Sequence, residues 1–277
     1  MRFRKIYVEI SNLCNLSCAF CPGTKRAPGR MTAKDFGRLL PKLRPYTDFL
    51  YFHIMGEPLC HPQLEAFLAL AGESGFKVIL TTNGTLLAKR QEMLLAAPAL
   101  HKVNISLHAF EANDLDVDFG QYLDNCFGFG KAANGEKLVV YRLWNQGGAE
   151  EKNQEILDRM KIHFPDPWEQ KRQGIRVADG IYLEHGEKFD WPDLQAEEGA
   201  ETVFCYGLRD QLGVLCDGSV VPCCLDHEGD LTLGNLFTQE MDEILNNPRA
   251  KAIYDGFSNK QAVEPLCRRC GYARRFK

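Results

Sequence analysis

Across its first two-thirds the chain alternates β-type runs with amphipathic ones, a rhythm that leaves few folds open. The β-type runs are 5–11, 49–55, 77–82, 102–108, 137–144 and a weaker 174–183. Between them, runs 32–43, 62–74, 86–96, 119–133 and 151–164 carry apolar residues at helical spacing, as in Phe36, Leu39, Leu40 and Leu43. Thr32 reads as an N-cap and Pro62 as a first-turn residue. Alternating units of this kind imply an α/β protein with a parallel sheet and right-handed crossovers. Six units are too few to close an eight-stranded barrel. The polar motifs of the region fall at the carboxyl ends of these strands. A cysteine loop follows the first, Gly56-Glu57-Pro58-Leu59 the second and Thr82-Asn83-Gly84 the third. Ser106 and His108 end the fourth, and Arg142 lies late in the fifth. Parallel α/β barrels build their active sites on that face.

The cysteine loop reads C-N-L-S-C-A-F-C-P, placing Cys14, Cys18 and Cys21 in a C-x3-C-x2-C run. Three thiolates this close can hold three irons of one [4Fe–4S] cluster and leave the fourth iron open to a small ligand. A structural cluster normally has a thiolate on every iron. The competing readings are a zinc site or three buried thiols; structural zinc wants four protein ligands, and no fourth lies nearby in sequence.

The remaining composition narrows the setting. A chain of 277 residues can bury one large core, or one core with a small appended unit. No apolar run approaches a membrane span, and the basic start (Arg2, Arg4, Lys5) lacks the apolar core of a signal peptide. A cytoplasmic location is expected. Eleven cysteines in such a chain argue for metal or redox chemistry over disulfides. The net charge of −4 exerts no broad pull on nucleic acid, and the basic pairs Lys25-Arg26, Arg268-Arg269 and Arg274-Arg275 read as solvated surface.

With these motifs in place, the chain resembles the radical S-adenosylmethionine (SAM) enzymes, whose signature is the C-x3-C-x2-C spacing. An aromatic often precedes the third cysteine there, and Phe20 holds that place here. The resemblance implies a partial (β/α)6 barrel, with which the unit count agrees. Gly56-Glu57-Pro58 is similar to the family's GGEP-type segment, with Met55 in place of the first glycine. Backbone carbonyls of that segment receive the SAM ammonium in the family. Ser106 and Arg142 resemble strand-four and strand-five positions that serve the SAM carboxylate or ribose. Arginine suits a carboxylate because its planar fork donates twice, although a surface ion pair would also account for Arg142. Asn83 is a further ribose candidate, or simply a turn residue. His108 could contact SAM or substrate, or be satisfied by its own backbone neighbours.

From about residue 203 the rhythm breaks into short strand-like pieces, 213–216 and 219–222, and a helix at 241–246 opened near Thr238. Cys205-x12-Gly218-x4-Cys223 with Cys267-x2-Cys270 resembles the SPASM/twitch extension of radical SAM enzymes. The chain stops seven residues after Cys270, which implies the twitch form with one auxiliary [4Fe–4S] cluster. Its expected ligands are Cys205, Cys223, Cys267 and Cys270, with Cys224 able to displace Cys223 and Cys216 a lesser stand-in. Four cysteines in two pairs suit a zinc ribbon as well. Cys60 and Cys126 read as small buried hydrophobes. The expected division is a barrel over 1–190 and a linker with the auxiliary unit over 191–277.

The resemblance implies reductive cleavage of SAM to a 5′-deoxyadenosyl radical that takes hydrogen from a small-molecule, nucleobase-type or peptide substrate. The net reaction would be of oxidoreductase or lyase type, with an electron donor such as flavodoxin or ferredoxin. Tyr182, Glu184, Asp190 and Trp191 could form a pocket for a cationic substrate group, or an exposed connector. Two other classes compete: a non-catalytic iron–sulfur electron-transfer or cluster-sensing protein, and a zinc-organised interaction module.

Overall fold

Helix α1 (Ala33–Leu43) follows directly from its sequence: Phe36, Leu39, Leu40 and Leu43 are buried, and the Thr32 hydroxyl accepts the Asp35 N–H as N-cap. The same face-to-core pattern places α2 (Leu64–Glu73), α3 (Leu87–Ala96), α4 (Phe119–Ala133) and α5 (Asn153–His163) against one side of a long sheet. The computed structural model describes residues 2–113, 117–172, 174–199 and 202–276.

Strands β1 (Lys5–Val8), β2 (Phe49–Phe52), β3 (Lys77–Thr82), β4 (Leu100–Ser106) and β5 (Leu138–Gln146) pair in parallel in chain order. A short β6 (Glu169–Lys171) and β7 (Gly174–Ala178) precede β8 (Ile181–Glu187), which continues the parallel set beside β5. These six parallel strands form the partial barrel. Residues Val103, Ile105, Val139, Tyr141, Leu143 and Leu183 belong to the large core cluster with the helices. Intervening residues, Asn104, Ser106, Val140, Arg142 and Glu184, therefore face the barrel interior.

Several expectations shift here. The single strand expected over 174–183 is a hairpin, turned at Asp179-Gly180 with Gly180 at φ +67°. Asp-Gly between β-type residues is a strong hairpin signal in its own right. Arg142 lies mid-strand, because β5 extends to Gln146. His108 falls in a 3₁₀ turn (Leu107–Ala109) beyond β4. Pro62 precedes α2 and stands outside its first turn. The α6 helix (Met241–Asn246) is opened by a Glu240/Glu243 capping box, not by Thr238.

The C-terminal region continues the sheet. Strand β9 (Gln211–Val214) pairs in parallel with β1, and β10 (Ser219–Val221) and β11 (Gly234–Asn235) add antiparallel strands outside it. The final strand order is β11-β10-β9-β1-β2-β3-β4-β5-β8-β7-β6. Beyond α6, helices α7 (Pro248–Ser258) and α8 (Pro265–Arg268) carry the chain to the last cysteine pair. Tyr182 and Glu184, considered as part of an exposed connector, lie inside β8, and Ala200 and Glu201 of the expected linker region lie outside the described set.

Candidate active site

The loop leaving β1 carries Cys14, Cys18 and Cys21, the first and third exposed and the second half-buried. It is shaped by its own polar groups. The Cys21 N–H donates to Cys18 O at 2.9 Å, the Leu16 N–H to Cys14 Sγ at 3.4 Å, and the Asn113 side-chain amide to Cys18 Sγ at 3.1 Å. Burial pushes the Cys14 thiol up to about 11 and raises Cys18 as well. Ionised, three sulfurs here need cationic charge between them, and N–H donors already aimed at two of them suit a thiolate-bound metal cluster.

All three cysteines face one open cavity of about 510 Å³ at the carboxyl end of the sheet. Phe20, Gly56, Glu57, Asn83 and Ser106 share its wall, so five of the seven non-cysteine residues expected at the site converge there. Pro58 lies in the 3₁₀ turn just behind it. Gly56 is required by packing: at φ +76° its missing Cβ would sit 2.4 Å from Ser11 O and 2.8 Å from Leu13 O. The end of β2 thereby lies directly against the cysteine loop, and the Glu57 N–H donates to Leu13 O at 2.9 Å.

Glu57 and Asn83 spend their side chains on the scaffold. The buried Glu57 carboxyl accepts the Leu59 N–H at 3.0 Å and the Asn83 N–H at 2.7 Å, and burial raises it to about 7. Asn83 donates to Asn15 Oδ1 at 3.0 Å and accepts from the Thr85 N–H and hydroxyl. Together they tie the ends of β2 and β3 to the loop. His108 is met by Arg142 O at 3.0 Å and stacks near Phe20 at 5.0 Å between ring centroids.

Arg142 does not reach that wall. Its Nε donates to Glu184 Oε2 at 3.3 Å, and its guanidinium lies 4.5 Å from the centre of the Trp144 ring. The ion pair considered for it exists, but inside the barrel. Glu184 is thus already engaged, and Asp190 borders a different cavity with Glu150 and Glu187. The cationic-substrate pocket imagined from Tyr182, Glu184, Asp190 and Trp191 does not assemble; of the four, Trp191 alone lines the cysteine cavity.

Sequence reasoning missed Asn113, Asn15 and the Glu9–Arg26 pair. Glu9 is fully buried at the end of β1 and meets Arg26 in a two-pronged bond at 2.9 and 2.7 Å. A carboxylate ending an apolar strand was the available signal for that pair. Nothing local marks Asn113.

Cys205, Cys223, Cys267 and Cys270 line a second, tight cavity of about 30 Å³, walled also by Asp226, Leu266 and Tyr272. Burial raises all four thiols, Cys205 to about 11. Cys224 is off that wall and packs instead against the small cluster of Tyr7, Ile54, Met55, Leu215 and Val221. Cys216 packs near Gly29 and bonds Glu9. Among the described residues no three His, Cys, Asp or Glu side chains converge as ligands of a single ion. The four line one cavity together, an arrangement that can offer one thiolate to each iron of a cube. Cys126 is buried, and Cys60 is half-buried and off both cavity walls.

Two family models match the chain. The family model described as "Radical SAM superfamily" matches residues 8–190, and the SPASM model, "Iron-sulfur cluster-binding domain", matches 205–271. A probable GTP 3′,8-cyclase of Pyrobaculum aerophilum is 33% identical over 108 residues, 38% of this chain. The chain spans only 34% of that cyclase's length. An S-adenosyl-L-methionine-dependent 2-deoxy-scyllo-inosamine dehydrogenase of Niallia circulans is 22% identical over 97% of this chain and 92% of its own. In fold, the chain is similar to BtrN in complex with AdoMet and 2-DOIA (TM-score 0.62, 19% identity, 98% of this chain and 94% of that one). It is likewise similar to Streptococcus suis SuiB bound to S-adenosylmethionine (TM-score 0.66, 17% identity, 92% and 68%).

Proposed function

The chain belongs to the radical SAM superfamily, and from that premise we propose that Cys14, Cys18 and Cys21 hold its SAM-binding cluster and that the protein oxidises a small molecule. It is an enzyme whose cofactors are a SAM-binding [4Fe–4S] cluster, auxiliary iron–sulfur binding in the SPASM region, and SAM itself. Held there, the cluster and SAM would supply one-electron chemistry able to start hydrogen-atom removal from a substrate.

The chain's own residues do the positioning. Gly56 keeps the β2 end flat enough for a ligand's ammonium to approach main-chain carbonyls, with Pro58 fixing the turn behind it. Ser106 offers a hydroxyl from the β4 end, and Phe20 an apolar surface for a nucleobase. Asn83 and Glu57 serve by holding the loop in register. Trp191 closes one side of the cavity against water, which protects a radical from side reactions. Cys205, Cys223, Cys267 and Cys270 hold one auxiliary cluster.

The observation that carries the reading is the convergence of three cysteines and the strand-end motifs on one open cavity. Likeness to a named dehydrogenase along nearly the whole chain supports a small-molecule oxidation over peptide modification. The experiment is anaerobic reconstitution followed by SAM and dithionite. Release of 5′-deoxyadenosine is expected, lost on replacing Cys14, Cys18 and Cys21 together by Ala while the auxiliary iron stays bound. Release that persists in the triple variant would overturn the cluster assignment.

A further inference from the structure

Ser106, Arg142 and Glu184 occupy one register row across β4, β5 and β8, on the face turned to the barrel interior. Lys102 lies on the same face of β4, two rows deeper. A single carboxylate answers both cations: Glu184 Oε2 is 3.3 Å from Arg142 Nε, and Oε1 is 3.9 Å from Lys102 Nζ. All three side chains are a quarter exposed or less, so bulk water does little to solvate the surplus. Among the described residues, the two terminal nitrogens of Arg142 donate to no protein acceptor. Trp144 covers one face of the guanidinium and leaves its edge available.

The surroundings do not supply the missing negative charge. Tyr7, Tyr51 and Tyr272 stay neutral phenols, since burial raises each of them. His53 is half-buried and held neutral, lowered to about 4 by desolvation and by Arg142. Glu9 is consumed by Arg26. A half-buried cation with unspent donors is costly unless an anion meets it. One row below Ser106, Asn104 is 1% exposed; its amide nitrogen donates to Thr81 Oγ1 at 3.2 Å while its oxygen has no partner. Thr81, Ser106 and His53 all line the cysteine cavity, so this interior opens onto it.

We propose that the barrel interior binds an anionic end of the substrate, a carboxylate or phosphate, on the edge of Arg142 with Lys102 behind it. Glu184 holds the two cations in place. This rests on reading the cavity above as the SAM site, and it reverses the charge sign suggested by the acidic residues nearby in sequence.

The test uses reconstituted enzyme with SAM bound, titrated calorimetrically at constant ionic strength with inorganic phosphate and, separately, with propionate. Saturable binding of at least one probe is expected, and the tighter probe identifies the group. Arg142→Gln should weaken that binding by about tenfold or more while SAM affinity and uncoupled 5′-deoxyadenosine release hold, as loss of a charged pair implies. Glu184→Gln should tighten it, a gain that misfolding cannot produce. No saturable binding of either probe, or no gain in Glu184→Gln, overturns the proposal. So does an Arg142→Gln protein that loses SAM affinity in step with the anion, because Arg142 then belongs to the cofactor. Loss of 5′-deoxyadenosine release in the wild type would sink the SAM reading instead.

Discussion

Cys223 and Cys224 are neighbours in sequence and face different rooms. The first lines the cavity shared with Cys205, Cys267 and Cys270, and the second packs against the cluster that holds Tyr7. Cys223→Ala should therefore lose the auxiliary iron and sulfide, while Cys224→Ala keeps them; metal analysis and the visible spectrum decide. Spacing could not separate the two, because successive residues at a strand's end point opposite ways and only the strand's neighbours say which way is inward. Glu57 makes a second case. Its folded-state pKa of about 7 stands above the ordinary 4.5, so the folded protein holds this proton more tightly than the unfolded chain. The resulting stabilisation is complete below 4.5 and disappears as pH rises through about 7. Urea melts across that window should show a flatter pH dependence in Glu57→Gln. The Gln variant also loses an acceptor for a buried N–H, costing about 1–3 kcal/mol.

The hairpin of β9 and β10 hangs on Gly218. Its φ of +85° disfavours any other residue, and an added Cβ would lie 2.7 Å from both Asn235 Oδ1 and Phe237 Cδ2. Gly218→Ala should cost about 1–3 kcal/mol and lower auxiliary iron content, because the hairpin delivers Cys223. Gly128→Ala is the control. That glycine lies within α4 with nothing within 4 Å of the added carbon, so the change should stabilise by up to about 1 kcal/mol. Differential scanning calorimetry of the two variants gives the comparison. Elements of this kind were legible wherever periodicity was strong: α4 and α6 run over their expected residues. The 174–183 run was misread because a continuous β-type stretch hid its Asp-Gly turn. Pro62 was misplaced, and the cap expected near Thr238 is Glu240, because caps depend on where the flanking chain travels.

The two family regions share one sheet, since β9 pairs with β1 along Lys5–Val8. They are also latched by charge. Arg26, from the loop after the cysteines, bonds buried Glu9 and donates to His227 O at 2.7 Å, while Glu9 accepts the Cys216 N–H at 3.2 Å. The Lys25 N–H donates to the Glu228 carboxylate at 2.9 Å. Removing one partner of such a pair leaves the other buried and uncompensated, worth about 3–5 kcal/mol. Arg26→Gln should therefore raise hydrogen exchange in residues 22–30 and 225–229 together. Exchange rising in the first stretch alone would show the latch to be local. A division between residues 190 and 191 had no way to reveal this coupling, which joins residues two hundred positions apart.

Cysteine spacing and hydrophobic period are local quantities, readable along the chain because neighbours in sequence determine them. They were enough for the α/β class, the cluster chemistry and five of the residues that line the cavity with the three cysteines. Which thiol turns inward, what Arg142 touches and what sign of charge fills the barrel all depend on register between strands far apart in sequence. Only the packed sheet sets that register, and with it the balance of two buried cations against one carboxylate that bears on what the enzyme can bind.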